Sequence, residues 1–365
     1  MIENLTKIAG ELPSSVPFVG PETQERANNF NFLARIGANE SVFGPSKKVQ
    51  EAINNVASLS WQYGDPENFD LIEALANFYS LKRENFVVGE GIDGLLGYLV
   101  RLFIEPGQVV VSSLGAYPTF NYHVVGFGGK LSLIPYKNFY EDPKALLEEV
   151  KRVNAKLLYF SNPDNPMGTF HPKKVVQELI DELPGETLLC LDEAYSDFVD
   201  QEELAELDVS KKNVIRFRTF SKAYGLAGLR VGYGIGDPLI ISAFNKVRNH
   251  FGVNKIGQVA ALTALKDQNH LKKTLKKVEE SKAGIRDIFK NFGFSSLESK
   301  TNFVAIDSGK DNNYAKKLLE ALIKNKIFVR MPGVAPLNSF IRVSAGREKE
   351  LRELEAAMIR VMKEL

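Results

Sequence analysis

Six short apolar runs, at 86–88, 109–112, 130–135, 156–160, 187–191 and 214–217, alternate with stretches of helical periodicity, and no other feature constrains the fold as tightly. The intervening segments near 92–102, 117–125, 143–153 and 171–183 place apolar residues three and four apart, the spacing of one helix face. Runs such as Leu157-Leu158-Tyr159-Phe160 and Leu188-Leu189-Cys190-Leu191 show no polar alternation, so both faces of their strands call for burial. Strands joined by crossovers of helical length run parallel, with helices above and below the sheet. The expectation is an α/β chain built on a mostly parallel sheet. Its ligand belongs beyond the carboxyl ends of the strands.

Past Gly236 the pattern changes. Two long helical stretches, 238–266 and 270–292, precede short strands at 302–306, 327–329 and 340–343, interleaved with helices near 313–324 and 348–362. This reads as a smaller α+β domain. Before the alternation, Ser46 is placed to cap an amphipathic helix carrying Val49, Ala52, Ile53 and Val56, and a second helix spans about 68–79. Pro13, Pro17, Gly20 and Pro21 break up the first 35 residues, which read as an arm packing with the small domain. The division expected is therefore an arm (1–35), a large domain (36–245) and a small domain (246–365).

Composition narrows the function. The 365 residues carry 46 Lys and Arg against 45 Asp and Glu, a net charge of +1, which lacks the basic excess of a nucleic-acid-binding face. No apolar run reaches 18 residues, so no membrane span is expected, and residues 1–5 offer no signal-peptide core. The single cysteine, Cys190, lies within an apolar run and allows no intramolecular disulfide, which suits a cytoplasmic protein. His123, His171, His250 and His270 are scattered without the paired spacing of a metal site, and no metal is expected.

Three strand ends carry polar residues for which a core has no use. Ser161-Asn162-Pro163-Asp164-Asn165-Pro166-Met167-Gly168 follows the run ending at Phe160, and Asp192-Glu193-Ala194-Tyr195 follows the run ending at Leu191. Arg218-Thr219-Phe220-Ser221-Lys222 follows the run ending at Phe217 and continues through Gly225, Gly228 and Arg230 to Gly232. A lysine becomes a nucleophile by forming a Schiff base with a carbonyl, and pyridoxal phosphate is the carbonyl cofactor that makes most use of this. Such a ring needs a carboxylate at its pyridinium nitrogen, for which Asp192 is placed, and donors at its phenolic oxygen, which Asn165 and Tyr195 can supply. Thr219, Ser221 and Arg230 offer donors for a phosphate, and Gly91-Ile92-Asp93, between a strand and a helix, offers backbone N–H groups. Taken singly, each has a plainer reading: a turn asparagine, a strand-end aspartate, a solvated loop lysine. Neither G-x-G-x-x-G nor G-x-x-x-x-G-K-[ST] accompanies them, which weakens dinucleotide and nucleoside-triphosphate readings.

Together, and in this order, these segments resemble the fold-type I (class I/II) pyridoxal-phosphate-dependent aminotransferases, closest to their histidinol-phosphate aminotransferase branch. Asn39-Glu40 with Gly44-Pro45-Ser46, Tyr63 with Asp65-Pro66, Pro118-Thr119-Phe120 and Ile341-Arg342-Val343 extend the match over nearly the whole chain. The resemblance implies a large domain with a mostly parallel seven-stranded sheet and pyridoxal 5'-phosphate as cofactor. It implies an amino donor and a 2-oxo acid (histidinol phosphate and 2-oxoglutarate in that branch) as substrates. Lys222 would hold the cofactor covalently and move the substrate proton. Asp192 would pair with the ring nitrogen, and Asn165 and Tyr195 would contact the phenolic oxygen. Phe120 would stack on the ring. Gly91, Ile92, Asp93, Thr219, Ser221 and Arg230 would hold the phosphate. Tyr63 would reach the phosphate of a partner subunit, making a homodimer with shared sites. Arg342 and Arg330, with Asn39 and Phe18, would bind substrate. Phe120 and Phe18 stand where that branch commonly carries tyrosine. An aromatic or general amino-acid aminotransferase, or a decarboxylase or lyase of the same fold, would keep Lys222 and Asp192 unchanged. A non-catalytic cofactor-binding regulator would need an added DNA-binding domain, for which residues 1–35 are too short.

Overall fold

The computed structural model describes residues 4–13 and 19–365. In chain order the strands are β1 (Ala34–Arg35), β2 (Phe86–Gly89), β3 (Val109–Ser113), β4 (Lys130–Ile134), β5 (Leu157–Ser161), β6 (Leu188–Asp192), β7 (Val214–Thr219) and β8 (Gly232–Gly236). They continue with β9 (Ser295–Ser296), β10 (Phe303–Asp307), β11 (Ile327–Phe328) and β12 (Phe340–Ser344). Seven of these form one sheet in the order β2-β8-β7-β6-β5-β3-β4. The strands β7, β6, β5, β3 and β4 are parallel, whereas β8 runs antiparallel to both of its neighbours.

The two faces of this sheet are sorted by the period-two alternation of side chains. Leu157, Tyr159, Leu188 and Cys190 point to one face, where they meet Leu95, Leu96, Leu99 and Val100 of the helix Gly91–Phe103 and Phe120 and Val124 of the helix Pro118–Gly126. Leu158, Phe160, Leu189 and Leu191 point to the other, against the helices Pro143–Val153 and Lys173–Glu182. This explains the lack of polar alternation in the sequence: each strand is covered twice. Burial of each such side chain contributes about 1.5–3 kcal/mol.

The antiparallel strand β8 escaped the sequence reading because Gly232, Gly234 and Gly236 suppress strand propensity. Its first glycine has a steric reason. A Cβ on Gly232 would lie 2.8 Å from the Ile92 nitrogen, so the missing side chain is what lets the start of the helix Gly91–Phe103 rest on the sheet.

The stretch 238–266 is not one helix. Pro238–Ala243 and Lys255–Lys266 are separate helices, with residues 247–254 between them outside any regular helix. Ala260, Ala261, Ala264 and Leu265 of the second pack with Val49, Leu71, Phe86 and Tyr233, so this helix belongs to the cluster beside the large sheet. Ser46 caps the helix Lys47–Ala57 by accepting from the Val49 N–H at 3.2 Å.

The remaining strands make a three-stranded antiparallel sheet, β12-β10-β9, and a parallel pair, β1-β11. They share a core with the helices Gln268–Asn291, Asn312–Lys324 and Glu348–Glu364. The arm is more structured than the proline spacing suggests: it contains the helices Lys7–Glu11 and Pro21–Asn28. Its last strand, β1, hydrogen-bonds to β11 and thereby ties residues 34–35 to the C-terminal layer.

Candidate active site

The carboxyl ends of β5, β6 and β7 open into a cavity of about 310 Å³, and the polar residues singled out at those ends line it. Asp192 is the last residue of β6 and is 5% exposed. Its two oxygens are held separately: Oδ2 accepts from the Tyr159 hydroxyl at 2.6 Å and Oδ1 from the Ala194 N–H at 3.0 Å. Burial raises its pKa to about 6 against the pull of these two donors. Tyr159, an apolar-run residue in the sequence reading, is thus the support of the key carboxylate.

Lys222 lies in the same cavity with its Nζ 5.7 Å from the centre of the Tyr195 ring. Burial, reinforced by the positive charge of Arg342, lowers its pKa to about 8. The amine is therefore poised to be neutral just above neutral pH, the state in which it attacks a carbonyl or accepts a proton. The Tyr195 hydroxyl accepts from Asn39 Nδ2 at 2.8 Å, and burial pushes its pKa upward, keeping it a neutral donor. Asn39 adopts a left-handed φ of 56° and is locked by Ser344 and by the Asn302 amide.

At the other end of the cavity a cluster of donors assembles. Ile92 and Asp93 sit in the first turn of the helix Gly91–Phe103, whose unpaired N–H groups and dipole favour an anion. Thr219 Oγ1 and Ser221 Oγ are 2.9 Å apart, and Arg230 Nη1 stands 3.5 Å from Ser221 Oγ. Arg230 also faces Asp93 at 3.4 Å. Gly91, at a φ of +80°, is the closest approach: a Cβ there would lie 2.9 Å from Arg230 Cζ.

Phe120 departs from its expected role. It is fully buried in the sheet core and stacked on Tyr159, with centroids 4.5 Å apart and planes at 19°. An aromatic side chain that does line the cavity, beside Tyr195, is Tyr117, three residues earlier, whose hydroxyl donates to Asp93 Oδ1 at 2.8 Å. Tyr117 is the N-cap residue, outside the helix proper, whereas Phe120 and Val124, four apart, lie on the helix face buried against the sheet, and that spacing is the signal that assigns Phe120 to the core.

A second cavity of about 620 Å³ adjoins the first and shares Lys222, Asn165, Tyr117 and Asp93 with it. Arg330 and Arg342 line its far side. They are directly opposed across an antiparallel bridge, Arg342 N–H donating to the Arg330 carbonyl at 2.6 Å and Arg330 N–H to the Arg342 carbonyl at 3.2 Å. Opposed residues project to the same face of such a pair. Arg342 Nη1 donates to Asn165 Oδ1 at 2.5 Å, and Arg330 Nη2 to the Val19 carbonyl of the arm at 3.0 Å. Burial lowers the pKa of both, and the Arg330 charge lowers that of Arg342 further. Leu12 and Pro13 of the arm close one wall. Phe18 lies outside the described residues. Tyr63 lines neither cavity; its ring is 77% exposed and rests on Phe251, centroids 4.7 Å apart.

The donor set fits pyridoxal phosphate end to end: a phosphate cup at the helix start, a buried carboxylate for the ring nitrogen, Asn165 and Tyr195 for a phenolic oxygen, and an amine for the aldehyde. Among the described residues no group of three His, Cys, Asp or Glu side chains stands together as metal ligands. None of their helices is long and apolar enough to cross a membrane.

Comparison with known proteins agrees with this geometry. The profile of the family described as aminotransferase class I and II matches residues 34–358. The histidinol-phosphate aminotransferase of Moorella thermoacetica is 32% identical over 354 residues, covering 96% of this chain and 90% of the relative. The crystal structure of histidinol-phosphate aminotransferase from Sinorhizobium meliloti in complex with pyridoxal-5'-phosphate is 48% identical. It superposes with a TM-score of 0.96 over 99% of this chain and 98% of that one. An aspartate aminotransferase from Thermus thermophilus, solved with maleate, shares the fold at 22% identity, TM-score 0.81, over 98% and 99% of the two chains. The chain belongs to the class I and II aminotransferases, and its cofactor is pyridoxal 5'-phosphate.

Proposed function

We propose that this aminotransferase takes its amino group from histidinol phosphate and passes it to a 2-oxo acid, 2-oxoglutarate first among them. The observation that carries this reading is the Arg330–Arg342 pair. Two guanidinium groups projecting from opposed positions into one cavity beside Lys222 call for an anion of more than one charge. A planar fork binds carboxylate and phosphate alike, but two forks at one place match a phosphate better than a lone carboxylate. The names of the relatives at 32% and 48% identity support the same donor.

Pyridoxal phosphate, when bound, supplies an aldehyde that takes up the amino group and a ring that accepts the electrons left when the substrate Cα loses its proton. The chain's own contributions follow from the geometry. Lys222 Nζ, neutral above about pH 8, removes that proton and returns it. Asp192, gripped by Tyr159 and Ala194, holds a fixed negative charge where the ring nitrogen is to be protonated. Tyr195 and Asn165 donate to the phenolic oxygen. Ile92, Asp93, Thr219, Ser221 and Arg230 anchor the phosphate, with Tyr117 as the aromatic wall. Arg342 and Arg330 orient the substrate by its anion, so that only its Cα faces Lys222.

The homodimer is supported by Tyr63, which is far too exposed to serve its own subunit and lines neither cavity. Trp61, 79% exposed, and Phe251 accompany it on the same surface. We take the large and small domains to meet within the helix Gln268–Asn291 and not at residue 245, because Lys255–Lys266 packs beside the large sheet while Ile285, Ile288 and Phe289 join the C-terminal core. A cytoplasmic location is supported by the one buried, unpaired cysteine, Cys190.

The test is Arg330→Ala. Its kcat/KM is to fall at least about tenfold more for histidinol phosphate than for phenylalanine, since a lost charge-assisted contact to phosphate costs more than about 1.4 kcal/mol. An equal fall for both donors, or none, would favour an aromatic or general amino-acid aminotransferase.

A further inference from the structure

Behind the substrate arginine lies a pair of buried carboxyl groups that the reaction described above does not use. Glu141 and Asp164 are 1% and 2% exposed. Glu141 Oε1 accepts from the Ser161 N–H at 3.1 Å and the Ser161 hydroxyl at 2.9 Å, while its Oε2 accepts from the Ser113 hydroxyl at 2.7 Å. The same Ser161 hydroxyl lies 3.2 Å from Asp164 Oδ1. Asp164 Oδ1 also accepts from Tyr136 OH at 2.8 Å, and Oδ2 from the Met167 N–H at 3.1 Å.

Ser161 has one hydroxyl proton and two carboxyl acceptors to serve. None of these partners is a cation. Two ionised carboxylates meeting at one hydroxyl, out of water, repel strongly, and such pairs lose one charge by keeping a proton. The titratable and charged neighbours do not alter this. Tyr136 is a neutral phenol held so by burial, and His171, its pKa lowered by burial, meets Glu141 through a ring nitrogen at the main-chain carbonyl, 2.8 Å away, and not at the carboxyl group. Tyr195 and Arg342 lie on the far side of Asp164 and feel its charge. Glu141 is raised well above the ordinary carboxyl range, by burial first and then by Asp164, whereas Asp164 rises only to about 6.

The pair is built into the turn that faces the substrate. The Asp164 N–H donates to the Thr169 carbonyl at 2.8 Å and the Gly168 N–H to the Asp164 carbonyl at 3.0 Å, which closes the turn around Asn165. Asn165 Oδ1 in turn receives Arg342 Nη1.

We propose that Glu141 and Asp164 are a positioning pair for the substrate-anion site, Glu141 holding one shared proton and Asp164 the single charge, and that this charge sets how strongly Arg342 attracts an anion. The proposal rests on the reading that Arg342 receives the substrate anion.

Sulfate, a dianion throughout the neutral range, is the probe, titrated by calorimetry into protein already loaded with pyridoxal phosphate so that the cofactor's phosphate cup is filled. Glu141→Gln removes the protonated partner and keeps the charge. It is to bind sulfate within about twofold of the unaltered protein, because the pair still carries its one charge. Asp164→Asn removes the charge while burial still keeps the Glu141 proton, and is to bind sulfate about threefold tighter or more. Glu141→Gln/Asp164→Asn loses the charge and is to bind sulfate about threefold tighter or more, since a negative charge near Arg342 no longer opposes the anion. Structural damage would weaken sulfate binding, so tightening separates the two explanations. Tightening in Glu141→Gln alone, or none in Asp164→Asn or the double variant, overturns the proposal. Arg342→Ala is to abolish the binding; if it does not, the substrate-anion reading itself is what fails. Should the double variant not fold, infrared difference spectra of the unaltered protein against Glu141→Gln decide: loss of a protonated-carboxyl band at neutral pH supports the proposal, and no loss overturns it.

Discussion

Replacing Gly91 by alanine separates two energies that meet at one atom. The residue has a φ of +80°, a left-handed conformation that costs a residue with a Cβ about 1–2 kcal/mol. The added Cβ would also lie 2.9 Å from Arg230 Cζ and nearer still to Nη2. The crowded atoms are the end of a flexible side chain, so the guanidinium swings aside while the helix stays in place. Backbone strain is present with or without cofactor and so appears in thermal unfolding, as a shift of a few degrees at most for a chain of this size. Displacement of Arg230 appears only when phosphate is bound. A hydrogen bond to a charged group contributes about 1.5–3 kcal/mol, which corresponds to roughly 10- to 150-fold weaker cofactor binding. The measurement is equilibrium binding of pyridoxal phosphate in a Lys222→Ala background, where no covalent link masks the phosphate contacts. Gly91→Ala and Arg230→Ala should each weaken binding by that factor, and their combination should be no worse than Arg230→Ala alone. Unchanged affinity in Gly91→Ala, or fully additive losses, would refute the claim that Gly91 acts by making room for Arg230.

Asp192→Asn should fold normally by circular dichroism and lose roughly 10²–10³ in kcat, the scale for removing one preorganised electrostatic partner; near-normal turnover would reduce Asp192 to a strand-end cap. Because the Tyr159 hydroxyl is the group that most holds the Asp192 pKa down against burial, Tyr159→Phe should move the acid limb of the pH–rate profile to higher pH. The Lys222 pKa is lowered to about 8, so the rate of covalent cofactor capture should rise with pH and level off above that value. Arg342→Ala, which removes the positive charge that adds to burial in lowering it, should shift this curve toward higher pH, and an unshifted curve would deny the coupling. Mixing inactive Lys222→Ala and Tyr63→Ala subunits should restore part of the activity, because a hybrid dimer has one site with both residues intact; verified exchange without recovery would count against a shared site.

Much of the large sheet was legible because its strands are covered on both faces, and double burial leaves no polar residue to blur a run such as Leu157–Phe160. Strand β8 was hidden because its three glycines suppress strand propensity, and the first, Gly232, answers to a neighbour, the start of the helix Gly91–Phe103. Asp192, Lys222, Asn165, Tyr195, Thr219, Ser221 and Arg230 were legible since a strand end gives the core no reason to keep them, and all seven line one cavity. Phe120 was misplaced because a spacing match cannot tell a ring facing a ligand from one three residues away facing the core. Tyr159 and Glu141 gave no signal, and Asp164 only its place in a polar strand-end segment: a tyrosine in an apolar run and carboxyl groups in loops acquire these roles only when the fold buries them against Asp192 and Ser161.

The most direct test of the whole account is the half-reaction of the unaltered protein. Histidinol phosphate added to protein loaded with pyridoxal phosphate, with no 2-oxo acid present, should convert the bound cofactor stoichiometrically to its pyridoxamine form, read by absorbance. 2-Oxoglutarate should then return it fully. Conversion by phenylalanine but not by histidinol phosphate would contradict the proposed donor, and release of carbon dioxide from an amino acid with the cofactor unchanged would contradict transamination itself.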